Sequence, residues 1–124
     1  MVFLFVLASS ALFGQKADKI IGKYHLPNNL DISIYKKGKL YFGKIIAVTG
    51  EQQTNGNQNP LVGKVIIKDL EYDATTNQWI NGTMYAPGKG MTFNLKITDV
   101  NDHEIVVVGS KFIMRKTLVW KKIG

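Results

Sequence analysis

Residues 91–97 read MTFNLKI, and this stretch decides the fold class. Polar and apolar side chains alternate along it, the apolar ones being Met91, Phe93, Leu95 and Ile97. Successive side chains of a β-strand point to opposite faces of a sheet, so the alternation predicts a strand with one buried face. Residues 30–35, LDISIY, alternate in the same way. We therefore expect a fold built from half-buried strands.

Six further runs rich in β-branched and aromatic residues extend this pattern in both directions. They are Ile20–Leu26, Leu40–Val48, Val65–Leu70, Trp79–Ala86, Glu104–Val108 and Thr117–Lys122. The apolar positions of Val65–Leu70 also fit one face of a short helix, so this run has two interpretations. Turn-forming residues such as Pro87 and Gly88 fill most of the short gaps, which predicts tight hairpins between neighbouring strands.

The strands in series predict an all-β fold, namely an eight-stranded antiparallel up-and-down barrel. Closure of the sheet removes the exposed edges that an open meander would present. Charged residues such as Lys23 and Lys44 mark the outer face. By alternation, the interior is then formed by Ile20, Gly22, Tyr24, Leu30, Ile32, Ile34, Tyr41, Gly43, Ile45, Met91, Phe93, Leu95, Ile105, Val107, Leu118 and Trp120.

A barrel of this size either fills itself with side chains or encloses one small ligand. Aromatic and aliphatic side chains at inward positions are suited to line a cavity for an apolar or flat molecule. The candidates for this lining are Tyr24, Ile32, Ile34, Tyr41, Trp79, Tyr85, Phe93, Leu95, Val107 and Trp120. Glycines at inward positions 22 and 43 leave volume for neighbouring side chains, for a tight bend or for a guest molecule.

The segment Thr49–Leu61 interrupts the pattern because it contains EQQTNGNQNP and almost no apolar residue. A long connection without secondary structure of its own is usually either functional or disordered. We expect this segment to form a lid at the mouth of the barrel or a disordered tip, and the residues do not favour one over the other.

The first fifteen residues, MVFLFVLASSALFGQ, carry no charged side chain and place small residues after an apolar run. This order is typical of a secretory signal peptide, and the run is too short to span a membrane as a helix. No lysine or arginine follows directly after Met1, so an N-terminal element packed on the domain is the alternative. We predict a signal peptide over residues 1–14, a single barrel domain over residues 15–124, and a periplasmic or secreted protein.

The formal net charge of +7 comes from 16 basic and 9 acidic residues, and Arg115 is the only arginine. Scattered lysine is a poor signature for base or phosphate readout, which favours clustered arginine. We therefore expect a monomer with no nucleic-acid partner and no stable membrane insertion. Its basic outer face predicts loose attraction to anionic envelope surfaces.

The chain has no cysteine, and its two histidines, His25 and His103, lie far apart. They do not form the ligand cluster of a transition-metal site, and neither a Gly-x-Ser-x-Gly motif nor a glycine-rich phosphate loop occurs. Carboxylate pairs such as Glu71 with Asp73 lie at predicted strand ends, where solvated charge is usual rather than acid–base chemistry. The sequence therefore indicates a protein without enzymatic activity, metal or cofactor.

Several short motifs follow one another between the first and last predicted strands. They are Gly22-Lys23-Tyr24, Gly38-x-x-Tyr41-x-Gly43-Lys44-Ile45, Asn59-Pro60-Leu61-Val62-Gly63, Trp79-x-x-Gly82-x-x-Tyr85-x-Pro87-x-x-Gly90 and Lys116-Thr117-x-x-Trp120. Their order and spacing resemble the DUF2147 family of small exported bacterial proteins over nearly the whole domain. Tyr24 and Lys116 stand where that family usually has tryptophan and arginine. The family is in turn similar to the calycins, the barrel group that includes the lipocalins.

The resemblance implies a barrel closed at its base, where an aromatic ring of the first strand lies beneath a cation. In this chain Tyr24 would be the ring and Arg115 the cation, with Lys116 as its rival, in a cation–π contact. A calycin-like barrel with an aromatic interior favours binding of a small lipophilic ligand. The alternative is a non-catalytic module that uses its basic outer face to contact the envelope.

Overall fold

Eight antiparallel strands follow one another in a computed structural model of the chain, which describes residues 14, 16–49 and 60–123. The strands are β1 (Gly22–His25), β2 (Leu30–Lys37), β3 (Leu40–Val48), β4 (Val65–Asp73), β5 (Gln78–Ala86), β6 (Met91–Val100), β7 (Glu104–Lys111) and β8 (Met114–Lys122). A short 3₁₀-helix, Asp18–Ile20, precedes β1. Each strand pairs with its neighbours in the chain, and β8 returns to β1 to close the barrel. The predicted all-β, eight-stranded, antiparallel up-and-down barrel is confirmed.

Several strands are longer than the apolar runs that predicted them, because they continue to pair with their neighbours. β4 is a strand and not a helix, because it forms antiparallel ladders with both β3 and β5. β7 and β8 extend further into their shared hairpin than the pattern indicated, to Lys111 and from Met114. Most of the added residues are polar or charged, and they pair across the hairpin, as Ser110 does with Arg115. Backbone hydrogen bonds do not require an apolar side chain, so alternation alone does not reveal these extensions.

Interior glycines make room for large apolar side chains of neighbouring strands. Ile67 lies against Gly43, at 3.0 Å from the position that a Cβ would take, and Leu70 lies against Gly82. A Cβ added at Gly82 would lie only 2.6 Å from Leu70 Cδ2, so any larger residue there would displace Leu70. The volume that the sequence left open at position 43 is thus taken by a neighbouring side chain.

Two β-bulges lie on the neighbouring strands β4 and β5. Asp69 and Asn81 have φ values of 63° and 64°, in the left-handed region that residues other than glycine seldom adopt. The register of β4 against β3 shifts next to Asp69, and the register of β5 against β6 shifts at Asn81. Each shift is the one that an extra residue in the bulged strand requires. The Asn81 amide donates a hydrogen bond of 3.0 Å to the Glu71 carboxylate on the adjacent strand. Because side chains alternate with period two, one extra residue moves every later side chain of β5 to the opposite face.

The seam between β1 and β8 is much shorter than the other strand pairings. Within the described chain, β8 meets β1 only at the pairs Tyr24–Lys122 and His25–Lys121. On its other side, β8 pairs with β7 along its length from Met114. The β7–β8 hairpin therefore has a long edge that no described strand covers.

Candidate ligand site

The connections between strands alternate between two ends of the barrel, because consecutive strands run in opposite directions. The plugged end carries the connections 38–39, 74–77 and 101–103 together with the 3₁₀-helix. The mouth carries the connections 26–29, 87–90 and 112–113, and β3 ends and β4 begins there. Most of the predicted lid or disordered tip, Thr49–Leu61, lies outside the described residues. At the start of this connection, the Thr49 N–H donates to the Asn29 carbonyl oxygen at 2.8 Å.

Residues 17–20, here called the plug, close the plugged end. Ile20 is 0% exposed and belongs to the hydrophobic core. The Trp79 indole N–H, from β5, donates to the Ala17 carbonyl oxygen at 2.9 Å. The Tyr24 hydroxyl, from β1, donates to the Ile20 carbonyl oxygen at 2.9 Å. Aromatic side chains of the barrel wall thus satisfy backbone carbonyls of the plug.

A third aromatic side chain, Tyr41 of β3, holds the plug through Asp18. Its hydroxyl donates to Asp18 Oδ1 at 2.5 Å, and Lys36 Nζ lies 3.3 Å from the same oxygen. The hydrogen bond from Tyr41, aided by Lys36, holds the pKa of the Asp18 carboxyl below its usual value although partial burial acts in the opposite direction. The side chain of Asp18 is therefore an ionised acceptor at neutral pH.

Burial raises the pKa of both tyrosines that contact the plug. The pKa of Tyr24 rises to about 12, and that of Tyr41 is raised by burial and by its hydrogen bond to Asp18. Both phenols stay protonated at neutral pH, because ionisation would place a charge in an apolar core. They act as hydrogen-bond donors to the plug and not as catalytic bases, which need a pKa near the working pH.

Most of the predicted lining residues lie in the core. The buried ones are Tyr24, Ile32, Ile34, Tyr41, Trp79, Leu95, Val107 and Trp120. Phe93 is partly buried and packs against the core, as do Leu61, which precedes β4, and Leu118, midway along β8. We call Phe93 and Leu61, which lie towards the mouth, the mouth rim. The ring of Phe93 leans over Gly109 of β7, where an added Cβ would lie 2.8 Å from Phe93 Cε2.

The remaining candidate, Tyr85, is partly buried and packs against the edge of the core, but its position in β5 belongs to the outward-facing register. It is opposite Thr92 on β6, whereas the buried Met84 is opposite Phe93. Lys64 Nζ lies 4.9 Å from the centroid of the Tyr85 ring. The prediction that Tyr85 lines the interior together with Trp79 assumed unbroken alternation, and the β5 bulge reverses the alternation between them.

The structure does not bring Tyr24 and Arg115 together. Tyr24 pairs with Lys122 at the end of β8, whereas Arg115 lies in the β7–β8 hairpin near the mouth. Positions 115 and 122 are separated by roughly 23 Å of strand, at about 3.3 Å per residue. Lys116 is six residues from Lys122 and so is still about 20 Å of strand from the position that pairs with Tyr24. The cation beside the Gly22-x-Tyr24 motif is Lys122, whose Cε lies 3.0 Å from the position of a Cβ on Gly22.

Trp120 carries an unpartnered polar atom in the core. Its side chain is buried, with 2% of the residue exposed, and its indole N–H has no hydrogen-bond partner among the described residues. Among the described residues, the hydrophobic core that contains Trp120 includes no charged side chain. The sequence predicted Trp79 and Trp120 alike as interior residues, and only the structure distinguishes the satisfied N–H of Trp79 from the unsatisfied one of Trp120.

Two clefts lie on the surface of the barrel. The larger, of about 450 Å³, crosses the outer face of β5–β8, and Lys96, Ser110 and Arg115 contribute to its lining. The smaller, of about 260 Å³, adjoins the plug beside Lys16 and Thr98. Arg115 therefore lines an outer cleft instead of closing the barrel base.

The histidines have separate surroundings at the surface. His25 Nδ1 lies 2.6 Å from Asp31 Oδ1 on the outer face, and His103 lies in the turn between β6 and β7. Among the described residues, potential metal ligands do not gather in groups of three or more. The predicted signal peptide, residues 1–14, lies outside the described residues apart from Gly14. None of the helical segments described here has the length and apolar character to cross a membrane.

The sequence profile of a family described as uncharacterized proteins conserved in bacteria, DUF2147, matches residues 22–122. This chain belongs to the DUF2147 family. The match runs from the first residue of β1 to the last residue of β8 and so spans every strand of the barrel. It confirms the resemblance that the short motifs indicated.

A solved structure similar to this DUF2147 protein is that of HP1028 from the human pathogen Helicobacter pylori, described as belonging to the lipocalin family. The two chains are 18% identical and superpose with a TM-score of 0.68, over 85% of this chain and 83% of HP1028. Identity at this level shows the fold alone, so the barrel of this DUF2147 protein is lipocalin-like. Among curated proteins, none matches its sequence.

Proposed function

We propose that this DUF2147 protein is an exported, non-enzymatic protein that binds a small lipophilic molecule in the interior of its barrel. The unpartnered indole N–H of Trp120 carries this proposal. A buried N–H without an acceptor costs about 1–3 kcal/mol, and folded proteins leave few such groups unpaired. A carboxylate or carbonyl oxygen on a bound molecule would supply the acceptor. The ligand class is therefore a lipophile with one oxygen acceptor, of which a fatty acid is the simplest example.

The mouth rim supports entry of this ligand from one end of the barrel. The plug occupies the other end and is held there by hydrogen bonds from the wall. Leu118, midway along β8, lies two residues before Trp120 on the same inward face. The ring of Phe93 covers Gly109 of β7, so a rotation of Phe93 would uncover the backbone there.

The apolar leader at the start of the sequence supports export of the domain. In an envelope or extracellular compartment, free lipophiles are poorly soluble and need a carrier with an apolar interior. A barrel that buries no charged side chain in the described chain suits such a cargo.

Binding is tested with protein purified from its native host and analysed by native mass spectrometry, together with titration of a dansyl-labelled undecanoic acid. We expect a copurifying small molecule, or saturable binding of the probe that unlabelled fatty acid reverses. Trp120→Phe removes the N–H while keeping an aromatic ring, and we expect it to weaken probe binding about tenfold, the loss of roughly one charge-assisted hydrogen bond.

Trp79→Phe is the matched control, because the N–H of Trp79 already has the Ala17 carbonyl as its acceptor. We expect this variant, measured under conditions where it is folded, to weaken probe binding much less than Trp120→Phe does. Absence of any copurifying molecule, together with no saturable binding of the probe, would overturn the proposed function. Equal affinities of the Trp120→Phe protein and the wild type would overturn the assigned role of the Trp120 N–H.

A further inference from the structure

Three consecutive apolar side chains project into solvent at the end of the β7–β8 hairpin. Phe112, Ile113 and Met114, here called the hairpin tip, are 94%, 100% and 75% exposed. The other large apolar residues exposed in the described chain, such as Val62 and Val119, stand singly and are less than half exposed. Single exposed apolar residues are ordinary, whereas a contiguous apolar projection marks a contact surface.

The backbone of the hairpin holds the tip away from the core. Lys111 pairs with Met114 across the hairpin, which leaves Phe112 and Ile113 as its two turn residues. Phe112 has a φ of 56°, a left-handed conformation that two-residue hairpins normally give to asparagine, aspartate or glycine. Burial of the ring does not compensate for this conformation, because the side chain is almost fully exposed. Folding therefore does not account for an aromatic residue at this position.

Cations flank the hairpin tip on both strands. Lys111 precedes the tip, and Arg115 and Lys116 follow it; we call these three residues the collar. The hairpin contains one acidic residue, Glu104, which lies at the opposite end of β7 and accepts a hydrogen bond of 2.7 Å from Lys121. An apolar projection flanked by cations, in a hairpin whose one carboxylate lies at its far end, complements an anionic lipid surface, where apolar residues enter the interface and cations contact the headgroups.

We propose that the hairpin tip inserts into the interface of an anionic lipid bilayer and that the collar binds its headgroups. Because the tip lies at the mouth, insertion would turn the mouth of the barrel towards the bilayer. A second copy of the chain is a poorer occupant, since two tips in contact would bring two cationic collars together. The inference stands on the hairpin alone and does not depend on the ligand proposed for the barrel.

Flotation of the full-length domain with lipid vesicles tests the proposal. We expect the wild type to float with equimolar phosphatidylcholine and phosphatidylglycerol and to remain unbound with phosphatidylcholine alone, with binding weakened by added salt. The double variant Phe112→Ser/Ile113→Ser should lower the partition coefficient at least about tenfold, because it removes most of the apolar surface that would be buried. The collar variant Lys111→Gln/Arg115→Gln/Lys116→Gln should lose the preference for phosphatidylglycerol.

Two control variants carry matched changes elsewhere. Lys37→Gln/Lys39→Gln/Lys68→Gln removes the same charge from exposed positions outside the hairpin, and Val62→Ser/Val119→Ser removes exposed apolar side chains outside the tip. Both should float as the wild type does, to within about twofold. Near-unchanged melting temperatures would show that the tip and collar variants remain folded; we expect this for the tip variant above all, because Phe112 and Ile113 are almost fully exposed.

Three results would overturn the proposal. The first is equal flotation of the wild type and the tip variant. The second is a wild type that does not bind anionic vesicles, which would leave a protein partner as the occupant of the tip. The third is a wild-type dimer in light scattering that the tip variant converts to a monomer without any vesicle binding, which would assign the tip to self-association.

Discussion

The two ends of the barrel differ in what their apolar side chains contact. At the plugged end, Ile20 is enclosed by the core, and wall residues Tyr24 and Trp79 hydrogen bond to the backbone of the plug. At the mouth, Phe112 and Ile113 project into solvent. Apolar residues stabilise a fold only if folding removes them from water. The plugged end therefore contributes to stability, and the hairpin tip is available for contact with something outside the chain.

The largest expected effect is at the plug. Ile20→Ala should lower the free energy of unfolding by about 2–5 kcal/mol, because it removes a fully enclosed side chain and leaves a cavity. Urea unfolding followed by circular dichroism measures it. Ile21→Ala is the control at the next position, where the side chain is 39% exposed, and should cost much less. Equal losses for the two variants would mean that residue 20 is not enclosed as described.

The next largest effect is a loss of stability at alkaline pH through ionisation of Tyr24. The pKa of Tyr24 is raised from 10.0 to about 12, so its contribution to stability is complete below pH 10 and is lost as the pH rises towards 12. Such a shift corresponds to at most about 2–3 kcal/mol. We therefore expect the free energy of unfolding to fall more steeply between these pH values in the wild type than in Tyr24→Phe. Parallel pH profiles would show that Tyr24 is not buried in its protonated form.

A smaller difference in stability is expected between the Trp79→Phe and Trp120→Phe variants. Trp79→Phe breaks the hydrogen bond to the Ala17 carbonyl, whereas Trp120→Phe breaks none within the described chain and removes an unpartnered N–H. The loss of ring size is the same in both variants, so Trp79→Phe should be the more destabilising by about 1 kcal/mol. Thermal unfolding of ligand-free protein measures this difference. A larger loss for Trp120→Phe would contradict the assignment of the plug as the stabilising end.

The smallest effect is expected at the mouth. Phe112→Ser/Ile113→Ser should change the free energy of unfolding by less than about 0.5 kcal/mol, because neither side chain leaves water on folding. The same urea experiment that measures Ile20→Ala provides the comparison. A loss near that of Ile20→Ala would show that the tip packs against the domain, and the contrast between the two ends would then be lost.

Local alternation was sufficient to predict the number, order and class of the strands. It failed where strands depart from regular pairing. The β5 bulge at Asn81 coincides with a bulge at Asp69 on β4, and neither residue is a glycine that would have signalled it. The interior position of Tyr85 was predicted from uninterrupted alternation of side chains along β5, and the bulge at Asn81 interrupts that alternation.

The contacts that close the barrel depend on register between segments distant in sequence. The only arginine was a reasonable candidate for the cation beside Tyr24, but the long β7–β8 hairpin carries Arg115 towards the mouth and brings Lys122 to the base. The sequence did contain one signal for the hairpin tip. Phe112 and Ile113 occupy the gap between two predicted strands, where glycine, asparagine or proline would be expected.

The hydrogen bond from Trp79 to Ala17 has a consequence for the order of folding. These residues are 62 positions apart, and Trp79 becomes available only when β5 has been synthesised. A contact between such distant residues forms after local hairpins, because a long loop must close first. We therefore expect the plug, the earliest described part of the domain to be synthesised, to be among the last to reach its final position.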